Sequence, residues 1–341
     1  MRPFRFEAAD DRAHALAAAD VPGERAAASH VAAPAQYLAG GTTLIDLMKL
    51  DVMRPQVLVD INALARQHGA VEARPEGLRL GALARMADVA DHPQVRRDYP
   101  VIAQSLELAA SPQLRNMASL GGNVLQRTRC NYFRDVSYEA CNKRRPGSGC
   151  AAIGGVNRRL AVLGVSDACI ANYPGDFANA LAALGASVEV EGPAGRRVVA
   201  FEDLHRLPGA TPQVETNLAP GELITGFAVP AGAWTRRSLY LKVRDRESYE
   251  FALASAAVAL DLDGGVVREV RIGLGGVAAK PWRSHEAEAA LRGRPFGEAA
   301  ARQAAEAAFS GAVVHEQTRF KPELGRRTLV RALTECAAME V

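Results

Sequence analysis

The sequence Asn116-Met117-Ala118-Ser119-Leu120-Gly121-Gly122-Asn123 opens the stretch around which this chain is organised. That stretch ends at Asp176 and contains four of the five cysteines. Its glycines permit the backbone to approach another group closely, and its thiols are potential metal ligands. The sequence therefore predicts two neighbouring binding regions, one built on backbone turns and one on cysteine side chains.

The composition limits the class of protein. A chain of 341 residues is too long for one small core, so two or three domains are expected. Apolar residues make up 48% and charged residues 23%, which is usual for globular proteins. The net charge of +3 is spread along the chain, which argues against a nucleic-acid partner. No apolar run reaches the roughly 18 residues that a membrane span needs, and no secretory signal is visible.

The order of predicted elements divides the chain into three units. These are residues 1–63, residues 64–232 with an irregular insert at about 127–170, and residues 233–341. Apolar patterning predicts strands at Val57–Ile61, Leu78–Ala82, Leu160–Leu163, Cys169–Ala171, Leu223–Val229 and Leu239–Val243, and a hairpin over Ala256–Gly273. It predicts helices at Asp11–Ala19, Val101–Ala110, Asp176–Leu184, Ser284–Leu291, Gly297–Phe309 and Arg326–Met339. Strands and helices fall in separate runs, so the predicted fold class is α+β.

Two glycine turns are candidate nucleotide-binding loops. Gly40-Gly41-Thr42-Thr43 joins an extended segment to a predicted helix, and its N–H groups and hydroxyls suit a pyrophosphate. Ser119 to Asn123 has the same character, so the two loops are predicted to form two walls of one elongated ligand site. Neither loop matches the Rossmann fingerprint or the P-loop. An ordinary tight turn is the alternative for each.

The clustered cysteines predict a metal site more than a disulfide scaffold. Their spacing is C-x10-C-x8-C-x18-C, which differs from zinc ribbons and bacterial ferredoxins. Four thiolates match the ligand count of a [4Fe–4S] cube, and nearby cations would offset its negative charge. Those cations are Arg129, Arg134, Lys143, Arg144 and Arg145. Structural zinc and inert buried thiols are the alternatives, and the distant Cys336 is interpreted as a buried thiol in a helix.

Three motifs together resemble the FAD-binding subunit of the xanthine dehydrogenase family of molybdenum hydroxylases. They are Leu38–Thr42, Arg115–Asn123 and Gly273–Ala278, the last followed by Pro281 and Arg283. The resemblance covers nearly the whole chain in the same order. It implies a two-subdomain FAD-binding fold of the vanillyl-alcohol-oxidase (PCMH) type, followed by a C-terminal α/β domain of the CO dehydrogenase flavoprotein type.

The insert resembles the medium subunit of bacterial periplasmic aldehyde oxidoreductases, which carries an additional [4Fe–4S] cluster. The segments concerned are Arg127–Asp135, Cys141–Cys150 and Ser166–Cys169. The medium subunit of 4-hydroxybenzoyl-CoA reductase has a comparable insert with different spacing. The resemblance implies that one [4Fe–4S] cluster is ligated by Cys130, Cys141, Cys150 and Cys169.

The same resemblance implies a set of FAD contacts. The pyrophosphate would be wrapped by Tyr37, Leu38, Ala39, Gly40, Gly41, Thr42, Thr43, Leu44 and Ile45, with Ser119, Gly122 and Asn123 as the second wall. Gly175 and Asp176 would touch the nucleotide, and Ile224 and Lys242 would lie near the isoalloxazine ring. The alternatives are a helix N-cap for Asp176 and a solvent-facing strand position for Lys242. No catalytic side chain is predicted, because the chemistry of such a subunit resides in its cofactors.

The resemblance also implies partners. A large molybdenum-cofactor subunit would oxidise an aldehyde to a carboxylic acid, and a small subunit with two [2Fe–2S] clusters would relay the electrons to FAD in this chain. The external acceptor would be oxygen or a ferredoxin-like protein. The expected location is the periplasm, reached through a partner subunit's signal, with the cytoplasm as the alternative. Competing functions are the FAD subunit of a 4-hydroxybenzoyl-CoA reductase or xanthine dehydrogenase, a stand-alone flavin oxidase, and a zinc-stabilised assembly module.

Overall fold

The computed structural model describes residues 1–21 and 31–341, and within them the chain forms three sheets surrounded by helices. The first sheet consists of β1 (Arg5–Ala8), β2 (Ala35–Leu38) and β3 (Val57–Asp60). All its pairings are parallel, and β3 lies in the centre. Helices α1 (Arg12–Ala19), α2 (Leu44–Lys49) and α3 (Ala65–His68) accompany this sheet, with a 3₁₀ turn at Asn62–Leu64. The central strand is almost wholly buried because it carries the apolar run Val57-Leu58-Val59.

The second sheet is antiparallel, in the order β4-β5-β8-β6-β7. Its strands are β4 (Val71–Arg74), β5 (Gly77–Gly81), β6 (Ser187–Gly192), β7 (Gly195–Ala200) and β8 (Leu223–Pro230). Its helices are α4 (Met86–Asp91), α5 (Pro93–Asp98), α6 (Pro100–Glu107), α7 (Pro112–Met117), α8 (Leu120–Val124), α9 (Asn131–Arg134), α10 (Phe177–Leu184) and α11 (Phe201–Leu204). Helix α10 is buried along its whole length, which places it at the centre of the largest core.

The third sheet is antiparallel in the order β12-β11-β10-β9. Its strands are β9 (Ser238–Val243), β10 (Ala254–Asp263), β11 (Val266–Gly275) and β12 (Trp282–Arg283). Helices α12 (His285–Leu291), α13 (Glu298–Ala308) and α14 (Lys321–Ala337) complete the unit, with a 3₁₀ turn at Glu316–Thr318. Gly264 and Gly265, at φ 56° and 81°, form the turn between β10 and β11, where a side chain would strain the backbone. The predicted hairpin is therefore confirmed.

The cysteine insert has little regular structure. Apart from α9, its described residues make turns and isolated β-bridges, including one bridge between Cys141 and Cys150 and one between Leu163 and Ala278. The prediction of strands at Leu160–Leu163 and Cys169–Ala171 was therefore wrong. These short apolar runs are buried, but they meet other segments at single residues and do not pair along their length. A short run of buried apolar residues gives the same sequence pattern as a buried strand, so the pattern alone did not distinguish the two.

Most of the other predicted elements are present with ends shifted by a few residues. Helix α14, for example, begins at Lys321 instead of Arg326. Strands and helices fall in separate runs, and the α+β class is confirmed. Among the described residues, no helix combines the length and apolar character needed to cross a bilayer.

Candidate functional site

A cavity of about 620 Å³ lies between the first sheet, the second sheet and the start of the cysteine insert. Its volume is in the range usual for small-molecule and cofactor sites. Residues on its wall include positions 34–44, which run from β2 to the start of α2, and Ser119, Gly121 and Gly122 at α8. The wall also includes positions 125–128, Asn172, Tyr173, and Leu223 and Ile224 of β8. The two glycine loops that the sequence singled out therefore open on one space, as predicted.

The first glycine turn is held against the second loop by close backbone contact. A Cβ atom on Gly40 would lie 2.0 Å from the carbonyl oxygen of Met117, a separation that atoms do not tolerate. Gly41 has φ +73°, in the left-handed region that favours glycine. Thr42 and Thr43 follow on the cavity wall, just before α2 begins. The turn is thus structurally required and also faces the cavity, so the two interpretations of this motif are compatible.

The second glycine loop is the start of helix α8. Ser119 caps this helix, and its Oγ accepts a hydrogen bond from the Gly122 N–H at 3.2 Å. Both residues line the cavity, whereas Asn123 does not. The Asn123 amide instead donates to the sulfur of Met86 at 3.3 Å, and its buried Oδ1 finds no donor among the described residues. The predicted contact of Asn123 with FAD stays a prediction.

Asp176 and Lys242 form a buried ion pair with each other. Lys242 Nζ lies 2.8 Å from Asp176 Oδ2, and the two side chains are 1% and 5% exposed. The other Asp176 oxygen accepts from the Tyr240 hydroxyl at 2.7 Å, and Lys242 also donates to the Leu108 carbonyl at 2.9 Å. This burial excludes the solvent-facing alternative for Lys242, and Asp176 makes no side-chain cap on α10.

The ion pair joins α10 of the second unit to β9 of the third, and it lies outside the lining of the 620 Å³ cavity. Gly175 also lies outside, and its carbonyl accepts from Asn179 Nδ2 at 2.7 Å. Ile224 does line the cavity. The roles of Gly175, Asp176 and Lys242 at the nucleotide therefore stay predictions, whereas the role of Asp176 and Lys242 in joining the two units is visible.

The four clustered cysteines lie in one apolar core. Cys130, Cys141 and Cys169 are buried and Cys150 is partly buried, and none forms a disulfide. Phe133 and residues of α2 complete this core. Burial raises the pKa of the Cys130 thiol to about 12 and that of Cys169 to about 11, with the Lys143 charge opposing the rise at Cys169. Both thiols are therefore protonated at neutral pH unless a positive group binds them.

The thiols are not gathered around one point. Among the described residues, no set of three Cys, His, Asp or Glu side chains is arranged to hold a single metal ion. Residues 1–21 and 31–341 thus contain no preformed zinc site, and the single-zinc alternative loses support. Ligands of a cube bind four different irons and stand further apart than ligands of one ion, so this finding bears less on a cluster.

The cations around the cysteines have separate roles. Arg129 and Arg134 pair with Asp46 of α2 at 3.3 and 2.8 Å, which fixes the insert to the first unit. Arg144 donates to the carbonyls of Tyr132 and Phe133 and so ties the insert to itself. Arg145 is exposed. Lys143 is the buried one of the five, and its charge opposes the rise in the pKa of Cys169.

The cavity also has a charged floor that the sequence did not predict. Lys143 Nζ lies 2.9 Å from Glu215 Oε1, and Arg127 Nη2 lies 2.5 Å from Glu215 Oε2. All three residues line the cavity, together with His205 and Lys280. The His205 Nε2–H donates to the Val124 carbonyl at 3.0 Å, and burial lowers the pKa of this histidine to about 4, so the ring is neutral.

No local signal marks these floor residues. His205 and Glu215 lie in loops remote in sequence from both glycine turns, and the histidines show no ligand spacing. Arg127 was notable only as the first residue of the insert. A charged floor becomes visible only when the fold brings the loop before β8 against the cysteine insert.

The chain matches two family profiles that together cover most of its length. The profile described as "FAD binding domain in molybdopterin dehydrogenase" matches residues 15–232. The profile described as "CO dehydrogenase flavoprotein C-terminal domain" matches residues 239–341. The match confirms the predicted FAD-binding fold and the type of the C-terminal domain.

Curated relatives and solved structures agree with the profiles. The aldehyde oxidoreductase FAD-binding subunit PaoB of Escherichia coli (strain K12) is 44% identical over 340 residues, covering 99% of each chain. The carbon monoxide dehydrogenase medium chain of Hydrogenophaga pseudoflava is 27% identical, covering 88% of each chain. A solved structure of carbon monoxide dehydrogenase from that organism superposes with a TM-score of 0.74 at 25% identity, covering 99% of this chain and 98% of the other.

Proposed function

We propose a specific function from one premise: the chain belongs to the FAD-binding subunits of the molybdenum hydroxylase family, and it is an oxidoreductase subunit. The proposal is that it serves a heterotrimeric aldehyde oxidoreductase, in which a large molybdenum-cofactor subunit oxidises an aldehyde to a carboxylic acid. A small [2Fe–2S] subunit would stand between that centre and this chain. FAD and one [4Fe–4S] cluster would be the resident groups of this chain.

The residues of the cavity fit the FAD part of the proposal. Glycines 40, 41 and 122 keep side chains away from the space between the two loops, and Thr42, Thr43 and Ser119 supply hydroxyls on its wall. The mostly apolar β8 side, with Leu223 and Ile224, suits a flat ring system. Bound FAD would supply reversible electron acceptance, which no side chain of the described cavity provides. The chain's own contribution is to hold, orient and partly enclose it.

The cysteine core supports the second group. Four free thiols lie in one core, those of Cys130, Cys141, Cys150 and Cys169. They stand on loops with little regular secondary structure, which a bound cluster would therefore not disrupt. Binding of a cluster would replace the protons of these thiols, so it would release protons to solvent. We infer that these four side chains hold the [4Fe–4S] cluster and that Lys143 offsets part of its negative charge.

Partners and location follow from the same premise. The relatives are described as medium chains or FAD-binding subunits, which by name belong to larger assemblies. Oxygen or a ferredoxin-like protein is the proposed external acceptor. The proposed location is the periplasm, with transport dependent on a partner subunit's signal.

One observation carries this function. The 620 Å³ cavity proposed for FAD, here called the flavin cavity, shares a wall with the apolar cluster of the four cysteines, here called the cysteine core. Thr128 and Lys143 line the cavity, while the Thr128 hydroxyl accepts from the Cys130 N–H at 3.2 Å and the Lys143 charge reaches Cys169. Two redox groups placed there would be neighbours in one chain.

The test is the visible spectrum of the purified chain, with flavin, iron, sulfide and zinc quantified. The expected result is one FAD and four irons with four sulfides per chain, with flavin bands over a broad iron–sulfur absorbance. A yellow protein without iron would refute the cluster and leave the flavoprotein. A colourless protein that contains zinc would refute both assignments.

Turnover of aromatic and aliphatic aldehydes by the complete complex then tests the substrate class. Loss of aldehyde turnover when this chain is omitted, with its return on adding the chain back, is the expected result. A complex that instead oxidises purines, or that reduces a thioester substrate, would assign the chain to another branch of the family.

A further inference from the structure

Arg127 is a buried cation without a complete set of partners. Its side chain is 6% exposed and lines the flavin cavity. None of its three nitrogens makes a hydrogen bond of good geometry to a described residue, although Nη2 lies 2.5 Å from Glu215 Oε2 as an ion pair. Guanidinium groups carry five N–H donors, and leaving such donors buried and unbonded is costly. The geometry therefore points to an acceptor supplied by a ligand.

The position of Arg127 is fixed from two sides. The guanidinium lies over the Phe133 ring, 4.9 Å from its centroid, and so rests on the cysteine core. On the other side, Glu215 pairs with Arg127 and also with Lys143, which in turn donates to the Pro212 carbonyl at 3.1 Å. One carboxylate thus holds one residue from each of two parts of the cysteine insert.

The triad leaves positive charge on the cavity floor. Arg127 and Lys143 face a single carboxylate, so one positive charge of the three groups is not compensated among them. His205 does not add to it, because this histidine is neutral. An electronegative ligand group on this floor would be stabilised, since charge interactions are strong where water is excluded.

We propose that Arg127 is an FAD-binding residue that the cysteine insert contributes to the flavin cavity, and that the Arg127–Glu215–Lys143 triad couples flavin binding to the state of the cysteine core. The ligand chemistry is a hydrogen-bond acceptor of the flavin nucleotide, either a phosphate oxygen or a ring carbonyl or nitrogen. The inference rests on the proposed function, since it takes FAD as the occupant of the cavity and a metal cluster as the occupant of the core.

The coupling follows from the sharing of one carboxylate. If the cysteine core loses its metal, the insert loses the metal–thiolate bonds that fix its fold, and the positions of Arg127 and Lys143 are no longer held from that side. Flavin affinity then falls. By linkage, a bound flavin that engages Arg127 stabilises the metal-loaded form of the insert by the same factor.

The experiment compares Arg127→Met, Arg127→Lys and Glu215→Gln with the wild-type chain, using Arg145→Met as the matched control. Arg145 lies on the same insert but is exposed. Flavin is removed from each full-length protein, and the Kd values for FAD, riboflavin and ADP are measured by calorimetry. Iron, sulfide and circular dichroism are recorded for each sample, so that loss of folding is detected independently.

The expected result is a Kd for FAD raised about 10- to 100-fold in Arg127→Met, from the loss of a charged hydrogen bond. Arg127→Lys keeps the charge but loses the planar fork, so its Kd should rise by a smaller factor. Arg145→Met should change the Kd less than twofold. Weakened ADP binding with unchanged riboflavin binding would identify a phosphate as the acceptor, and the reverse would identify the flavin ring.

An unchanged Kd for FAD in folded Arg127→Met and Arg127→Lys would overturn the assignment. If Arg127→Met does not fold, Arg127→Lys and Glu215→Gln decide the question, since both keep a polar group of similar size. The proposed function fails separately: wild-type chain that binds no FAD, or contains no iron, refutes it before any variant is compared.

The coupling has its own test. Iron is removed from wild-type and Arg127→Met protein by oxidation and chelation, and the Kd for FAD is measured again. The expected result is a weaker affinity in iron-depleted wild type and little further loss in iron-depleted Arg127→Met, because both changes act through one group. Independent, additive effects, or no effect of iron on wild type, would overturn the coupling.

Discussion

The flavin cavity and the cysteine core adjoin each other but are stabilised in different ways. The cavity is framed by sheets and by glycines whose backbone contacts leave no room for a side chain, as at Gly40. The cysteine core is framed by loops whose order depends on side chains, such as Arg144 bonded to the carbonyls of Tyr132 and Phe133. The first site is therefore expected to keep its shape without a ligand, and the second to depend on one.

Substitution in the cysteine core should have the largest and most local effect. Cys141→Ser removes one of the four proposed ligands, so we expect loss of most of the iron and rapid proteolysis within residues 127–170, while the rest of the chain stays folded. Iron analysis and mapped limited proteolysis measure this. Cys336→Ser is the control, because that thiol lies in the core of the third unit. Retention of all iron by Cys141→Ser would contradict the ligand assignment.

The second and third units together form the frame of the molecule. The stability of this frame should depend on the buried ion pair between Asp176 and Lys242. Lys242→Met leaves the Asp176 carboxylate buried without its cation, which we expect to lower the free energy of unfolding by about 3–5 kcal/mol. Chemical denaturation measures this. Arg327→Met, which breaks an exposed helix pair with Glu323, should cost less than about 1 kcal/mol. Equal effects of the two substitutions would show that the buried pair does not stabilise the frame.

The glycine turn should respond to a single methyl group. Gly40→Ala places a Cβ against the Met117 carbonyl, so we expect a loss of about 1–3 kcal/mol of stability together with weaker FAD binding. Calorimetry and flavin content measure both. Gly154→Ala is the matched control, because a Cβ there has open space around it. Normal flavin content in Gly40→Ala would show that the cavity adapts more readily than its contacts indicate.

The smallest expected effect concerns pH. Burial lowers the pKa of His205 to about 4, below the value of about 6.5 that the unfolded chain shows. Between these values the unfolded state binds more protons, so stability falls as the pH is lowered, by roughly 1 kcal/mol per pH unit between pH 6 and 5. Denaturation at a series of pH values measures the slope. His205→Gln should reduce it, whereas the same change at the exposed His14 should not.

Sequence patterns predicted the structure correctly where it depends on residues that are close together in the chain. The hairpin at Gly264-Gly265 and the apolar helix α10 follow from turn chemistry and from apolar residues that continue around the helix. Both glycine loops were assigned to one cavity, and both open on it. Such features are encoded within ten or twenty consecutive residues, which is the range over which a pattern can be recognised.

Sequence patterns failed where partners are distant along the chain. Lys242 pairs with Asp176 across 66 positions, and Lys143 meets Glu215 across 72. Neither partner carries a local signal, because any solvent-facing lysine or glutamate has the same neighbours in sequence. The prediction of strands in the insert was wrong for a related reason. The buried runs Leu160–Leu163 and Cys169–Ala171 have the composition of strands, but they meet other segments at single bridges.

The insert also begins and ends at one place. The Tyr173 hydroxyl donates to the Val124 carbonyl at 2.8 Å, and Arg127, Thr128 and Asn172 all stand on the same cavity wall. The residues that flank the segment 129–170 therefore lie on one wall of the cavity. Exchanging this segment for a short linker would require two cores to be refilled, because Val162 and Leu163 pack in the core of the third unit and the cysteines pack against Leu47 and Met48 of α2.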